Sequence, residues 1–182
     1  MEVILSKIMN QILEKAQEQY GYVAAHQIEP IRAAVNHQVK QGHIKRVARG
    51  IYRVVNYPLF DHEELMVAYL WSKHRAIFSH ETALYLHNLS DVLPGEIHLT
   101  LPREDMNARR AIPDLYNVYF KDVESDWYDV LPITTVPQTL IDVARTGLDT
   151  DQLHMAVDQA RARGQIDDEF EWTLIQQLQF ER

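Results

Sequence analysis

The chain has 182 residues, 46% of them apolar and 24% charged, with a formal net charge of −8; that is enough for one medium domain or two small ones with a proper core. No run approaches the ~18 uninterrupted apolar residues of a membrane span, and the N-terminus lacks the basic, apolar, small-residue order of a secretory signal. Zero cysteines exclude disulfides, thiolate nucleophiles and Cys-ligated zinc together, so a cytoplasmic protein without membrane contact is expected.

Residues 2 to 20 place Ile4, Leu5, Ile8, Met9, Ile12, Leu13 and Ala16 on one stripe, with Lys7, Gln11, Glu14, Lys15 and Glu18 outside it. This spacing predicts an amphipathic helix ended by Gly21. The short apolar stretch from Tyr22 to Ile28 reads as a second helix, stopped before Pro30.

Residues 30 to 53 break with the rest of the chain. They hold Arg32, Lys40, Lys45, Arg46, Arg49 and Arg53 and no Asp or Glu, a concentrated positive segment suited to a polyanion. Pro30 fits the first turn of a helix and Gly42 the position just past its end. Ile31, Ala34, Val35 and Val39 share one face of that helix, and Arg32, Asn36, His37 and Lys40 point away from it. Arg and Asn pair bidentately with guanine and adenine edges, and a helix fits a major groove.

After Gly42 the pattern alternates, with a turn expected around Ala48 to Gly50 and with Arg46 and Arg49 flanking the tip. Helix, turn, basic helix and basic hairpin in that order predict a winged helix-turn-helix. The other reading of this segment is a solvated cationic surface, or a docking site for an acidic partner.

Pro58 marks the expected domain boundary, giving a DNA-binding domain over 1–56 and an α+β domain over 57–182. Asp61 with Glu64 three residues on resembles a capping box for a helix running to about Lys73. A short strand at 76–78, a helix capped by Ser79, and a strand at 97–102 with Ile97, Leu99 and Leu101 on one face come next. Residues 103 to 116 read as a surface loop or irregular hairpin. Strands are expected at 117–121 and 130–134, then helices from Val136, from Thr150, and over 168–180. The absence of regular β-α alternation makes the class α+β.

Chemistry is hard to find in this sequence. His62-Glu63 and His80-Glu81 begin like H-E-x-x-H, but Met66 and Leu84 stand where the second His belongs. His80, His87 and His98 have no metal-ligand spacing. Asp122, Glu124, Asp126 and Asp129 read as a solvated acidic loop rather than a nuclease carboxylate site. Six scattered glycines make no phosphate loop. No catalytic residue, metal or cofactor is expected, and the chain is read as a non-enzyme.

Three stretches together carry a family likeness: G-H-I-K-R-V-A-R-G-I-Y at 42–52, F-S-H-E-T-A-L-Y-L-H-N-L-S at 78–90 running into L-P-G-E-I-H-L-T-L-P at 93–102, and T-T-V-P-Q-T-L-I-D-V-A at 134–144. Over nearly its whole length the chain resembles the AbiEi-type antitoxins of type IV toxin-antitoxin (abortive infection) systems. The resemblance implies a winged-helix domain that binds double-stranded operator DNA and represses its own operon. It implies a functional partner toxin resembling a nucleotidyltransferase, which such antitoxins need not touch.

The expectation is therefore a sequence-specific repressor. Arg32, Asn36 and His37 would read bases, and Lys40, Lys45, Arg46, Arg49 and Arg53 would neutralise phosphates. The alternatives are a protein-binding antitoxin, or a stand-alone regulator that uses the basic hairpin and acidic second domain for protein contacts.

Overall fold

The structure, a computed structural model, describes residues 2–28, 32–108 and 111–180, with side chains described for 6–28, 35–108 and 111–176. The chain divides into two compact units, Met1–His74 and Arg75–Arg182. The division falls between His74 and Arg75 rather than at 56/57, because the helix after Pro58 packs on the strands of the first unit.

In the first unit, α1 (Glu2–Gln17) lays Ile8, Ile12 and Ala16 into a core shared with Val23, Ile28, Val35, Ile44 and Val54. Each such isoleucine removed from water contributes about 1.5–3 kcal/mol. The helix stops in a turn where Tyr20 and Gly21 take positive φ, and the Gly21 N–H donates to the Ala16 carbonyl over 2.7 Å.

The segment after this turn departs from the expected helix over 22–28. Tyr22–Ala24 is a strand, β1, and Ala25–Gln27 a 3₁₀ turn. All three strand residues are buried and paired with the second strand of the hairpin, and the Gln27 amide oxygen accepts from the Ala24 N–H at 2.8 Å. Three residues are too few to show a period, and burial on both faces erases alternation. Helix α2 (Arg32–Lys40) lies where it is expected; Pro30 and Ile31 fall outside the described residues.

The hairpin forms as read: β2 (Ile44–Ala48) and β3 (Ile51–Val54) flank Arg49-Gly50, with Gly50 at φ +75. An irregularity between Arg46 and Ala48 shifts the register by one residue. The three strands make an antiparallel sheet in the order β1-β3-β2. Helix α3 (Glu63–Trp71) has His62 rather than Asp61 as its N-cap residue, without a side-chain capping bond, so the Asp61 capping box does not form.

The second unit is built on a mixed sheet of β4 (Ile77–Phe78), β5 (Ile97–Leu101), β6 (Tyr116–Phe120), β7 (Ser125–Tyr128) and β8 (Leu131–Thr134). Their order across the sheet is β6-β5-β4-β8-β7. Every residue of β5 is buried, so His98 and Thr100 are enclosed along with Ile97, Leu99 and Leu101. β7 lies in the stretch expected to be an acidic loop.

Helices α4 (His80–Leu86), α5 (Val136–Thr146), α6 (Thr150–Ala162) and α7 (Asp168–Phe180) complete the unit. Leu84, Leu140, Val143, Leu153, Ala156, Ala160 and Leu174 form their common core. The α6 cap is Asp149, whose carboxylate accepts from the N–H groups of Asp151 and Gln152; an acid also suits the positive end of the helix dipole. The protein is thus α+β, with seven helices and two sheets among the described residues.

Candidate nucleic-acid interface

The apolar stripe of α2 fixes which side chains it leaves outside. Val35 is buried against α1 and β2, which turns Asn36 and Lys40 outward and leaves His37 half-buried. Asn36 and Lys40 are four residues apart and so lie one above the other on the helix surface. Arg32 opens the helix, but its side chain is outside the described residues.

A polar clasp holds the end of α2 to the base of the hairpin. The Gln38 amide oxygen meets His43 Nδ1 at 2.7 Å, and the His43 N–H donates to the Gln38 carbonyl at 3.1 Å. The His43 carbonyl in turn accepts from the Val55 N–H at 3.0 Å. Gly42, at φ +75, supplies the left-handed step that brings this about. The sequence singles out neither Gln38 nor His43, since a pair spanning a helix end and a strand start obeys no period.

On the hairpin, Lys45, Arg46 and Arg49 are exposed. Arg46 Nε donates to the Ala48 carbonyl at 3.2 Å, holding the side chain along the strand it belongs to. Lys40, Lys45, Arg46 and Arg49 therefore face solvent from consecutive elements with no acidic residue between them. The first unit carries nine Lys and Arg against seven Asp and Glu, net +2, and the second nine against nineteen, net −10.

Arg53 must be withdrawn from the expected contact set. It is 3% exposed and donates through Nη2 to the carbonyls of Tyr57 and Pro58 at 2.7 and 3.1 Å. Its guanidinium lies 5.7 Å from the centroid of the Tyr22 ring. Position 53 is on β3, the central strand, where Tyr22 of β1 and Lys45 of β2 are its cross-strand neighbours and the carbonyls of Tyr57 and Pro58 take up its guanidinium. Burial, with the Glu63 carboxylate nearby, raises the Tyr22 hydroxyl well above its ordinary pKa, while Arg53 opposes the shift.

A scan of family models matches none to this chain, and no curated protein matches it. Its fold is shared. The crystal structure of the Rv2827c protein from Mycobacterium tuberculosis superposes with a TM-score of 0.58 at 12% identity, over 95% of this chain and 71% of that one. At that identity the likeness concerns fold alone.

The second unit holds a buried polar network that no sequence motif announces. Ser79 is the N-cap residue of α4 as expected, but its side chain makes no capping bond; its Oγ accepts from Thr100 Oγ1 at 2.8 Å and lies 2.9 Å from His80 Nδ1. The His80 ring stacks on Tyr119 at 3.6 Å, and the Tyr119 hydroxyl lies 3.3 Å from His98 Nδ1. Burial, then Lys121, then His98 push the His80 pKa down to about 3, so its imidazole is neutral.

Beside it Lys121 pairs with Asp142, and Gln138 donates to the same carboxylate oxygen at 2.8 Å. His87 is engaged elsewhere, its Nε2 bonding the Thr134 carbonyl at 2.7 Å. Among the described residues no group of three His, Cys, Asp or Glu could hold a metal ion. These side chains bond to one another within the fold, which makes a scaffold of the network.

Proposed function

We propose that this chain is a sequence-specific repressor that binds double-stranded DNA through its first unit. The reading rests on one observation: Asn36, Lys40, Lys45, Arg46 and Arg49 are exposed on a helix and the hairpin after it, in a segment without a carboxylate. Helix α1, strand β1, a 3₁₀ turn, helix α2 and the β2–β3 hairpin follow one another; in this reading α2 is the recognition helix and the hairpin the wing of a winged helix. Asn36, with Arg32 and His37, reads base edges. Lys40, Lys45, Arg46 and Arg49 neutralise phosphates.

The likeness of the three sequence stretches to AbiEi-type antitoxins extends this reading to a cytoplasmic antitoxin that represses its own operon. Its toxin would resemble a nucleotidyltransferase. Among the described residues no helix is long and apolar enough to cross a membrane. We assign the chain no catalysis of its own. The strongly negative second unit repels DNA and so leaves binding to the first.

The test is the salt dependence of binding to the upstream region of its own gene. About four neutralised phosphates give a slope of log affinity against log salt of about −3.6. A slope near zero, or equal affinity for random duplex DNA, would overturn the reading.

A further inference from the structure

Strand β7 (Ser125–Tyr128) is an edge of the second sheet, and among the described residues β8 is its one strand neighbour. Successive side chains of a strand point to opposite faces, and both Asp126 and Trp127 are exposed, Trp127 by 63%. So both faces are open to solvent at Asp126 and Trp127, while Tyr128 at the end of the strand is half-buried. A bare edge strand with a bare tryptophan is a template for another chain.

The charge around it says which chain. Asp122 and Glu124 precede the strand and Asp126 lies within it, all exposed. Pairing of β7 with β7 of a second copy would set these carboxylates against one another. The complementary surface is an edge of the first sheet: β2, paired with β3 alone among the described strands, whose Lys45 and Arg46 are exposed beside Arg49 at the hairpin tip. The two strands are of similar length, five residues in β2 and four in β7, and an arginine suits the face of an indole ring.

We infer that the acidic, tryptophan-bearing edge of the second unit binds the basic hairpin of a second copy, so that the protein associates with itself through β2 and β7. Each copy carries one hairpin and one edge strand, so two copies can meet through a single such contact. The contact occupies Lys45, Arg46 and Arg49, the groups assigned above to phosphates; its regulatory consequence, that DNA and a second copy compete for one hairpin, rests on that assignment. The contact itself does not. Carboxylates on a strand replace phosphates on a duplex, and the free protein masks its own interface at high concentration.

Sedimentation velocity on the full chain tests this with two variants. The wild type is expected to form dimers as its concentration rises in about 50 mM salt, and association to weaken about tenfold or more by about 300 mM as the charges are screened. E124K/D126K and K45E/R46E should each remain monomeric. Mixed in equal amounts they should pair, since each then meets the opposite charge. A monomeric wild type at low salt, unchanged association in E124K/D126K, or no pairing of the mixture would overturn the proposal. Adding a short duplex in excess should dissolve wild-type dimers; dimers that keep their DNA would overturn the competition. A wild type that dimerises but does not bind DNA would leave the contact standing and refute the DNA reading instead.

Discussion

Gly21 lies so close to Tyr57 that a Cβ on the glycine would stand 2.6 Å from the Cβ of the tyrosine and 2.8 Å from its Cδ1. The same glycine sits at φ +88, ends α1 and launches β1. One residue therefore sets both the direction of the chain into the first sheet and the seat of the segment leading to α3.

Replacing that glycine is expected to cost twice. Gly21→Ala meets the left-handed backbone penalty, about 1–2 kcal/mol, and an overlap of the kind that costs about 1–3 kcal/mol in a packed core. Gly42→Ala is the control, because Gly42 shares the positive φ but has nothing within 4 Å of the added carbon. Urea denaturation should rank Gly21→Ala as the more destabilised by at least about 1 kcal/mol. Equal losses would mean that Tyr57 gives way freely.

The two arginines nearest the hairpin turn on β3 and at its tip should separate stability from binding. Arg53 bonds two carbonyls from a buried position, so Arg53→Met leaves those carbonyls without their donor and should destabilise by about 2–4 kcal/mol. The salt slope of DNA binding by the folded fraction should not change. Arg49 is exposed. Its replacement by Ala should leave stability within about 0.5 kcal/mol and make the slope shallower by about 1.

This contrast shows how far the sequence alone can be read. Arg46, Arg49 and Arg53 look alike in a charge count, and the alternation of the hairpin puts Arg49 and Arg53 on one parity. What distinguishes them is position: Arg49 is in the turn, Arg46 on the edge strand β2, and Arg53 on the central strand β3 beside Tyr22 of β1. Tyr22–Ala24 carries no period of its own, so the strand that makes β3 central is invisible in the sequence. The amphipathic helices α1 and α2, the Gly50 turn and the strand starting at Ile97 are legible because each carries a local pattern or turn residue of its own. Ser79, His80, Asp142 and Lys121 come from separate parts of the chain. Only the folded sheet brings them together.

The depressed pKa of His80 has a consequence for acid stability. The imidazole is neutral in the fold down to about 3, whereas in the unfolded chain it binds a proton near 6.5. Below pH 6.5 the unfolded state therefore takes up the extra proton, and stability falls with pH across the window from about 6.5 to about 3, by about 1.4 kcal/mol per unit for this residue. Between pH 7 and pH 5 the wild type should lose about 2 kcal/mol to His80, with His87 and His98, both shifted down by burial, acting in the same direction. His80→Gln cannot titrate. Its urea midpoint should fall visibly less over that interval, and a parallel fall would place the acid sensitivity elsewhere.

The Lys121–Asp142 pair offers the sharpest separation of an interaction from its parts. Asp142 is 2% exposed, with one carboxylate oxygen held by Lys121 and Gln138 and the other, Oδ2, without a hydrogen-bond partner among the described residues. Removing the cation alone, in Lys121→Met, strands a buried charge, and about 3–5 kcal/mol should be lost. Asp142→Leu beside it removes both the charge and the orphaned oxygen. Because the desolvation cost of a buried pair offsets most of its attraction, the double variant should be restored to within about 1–2 kcal/mol of the wild type. Chemical denaturation of the four chains in a double-mutant cycle measures this. A double variant as unstable as Lys121→Met alone would show that the pair stabilises the sheet through more than mutual neutralisation.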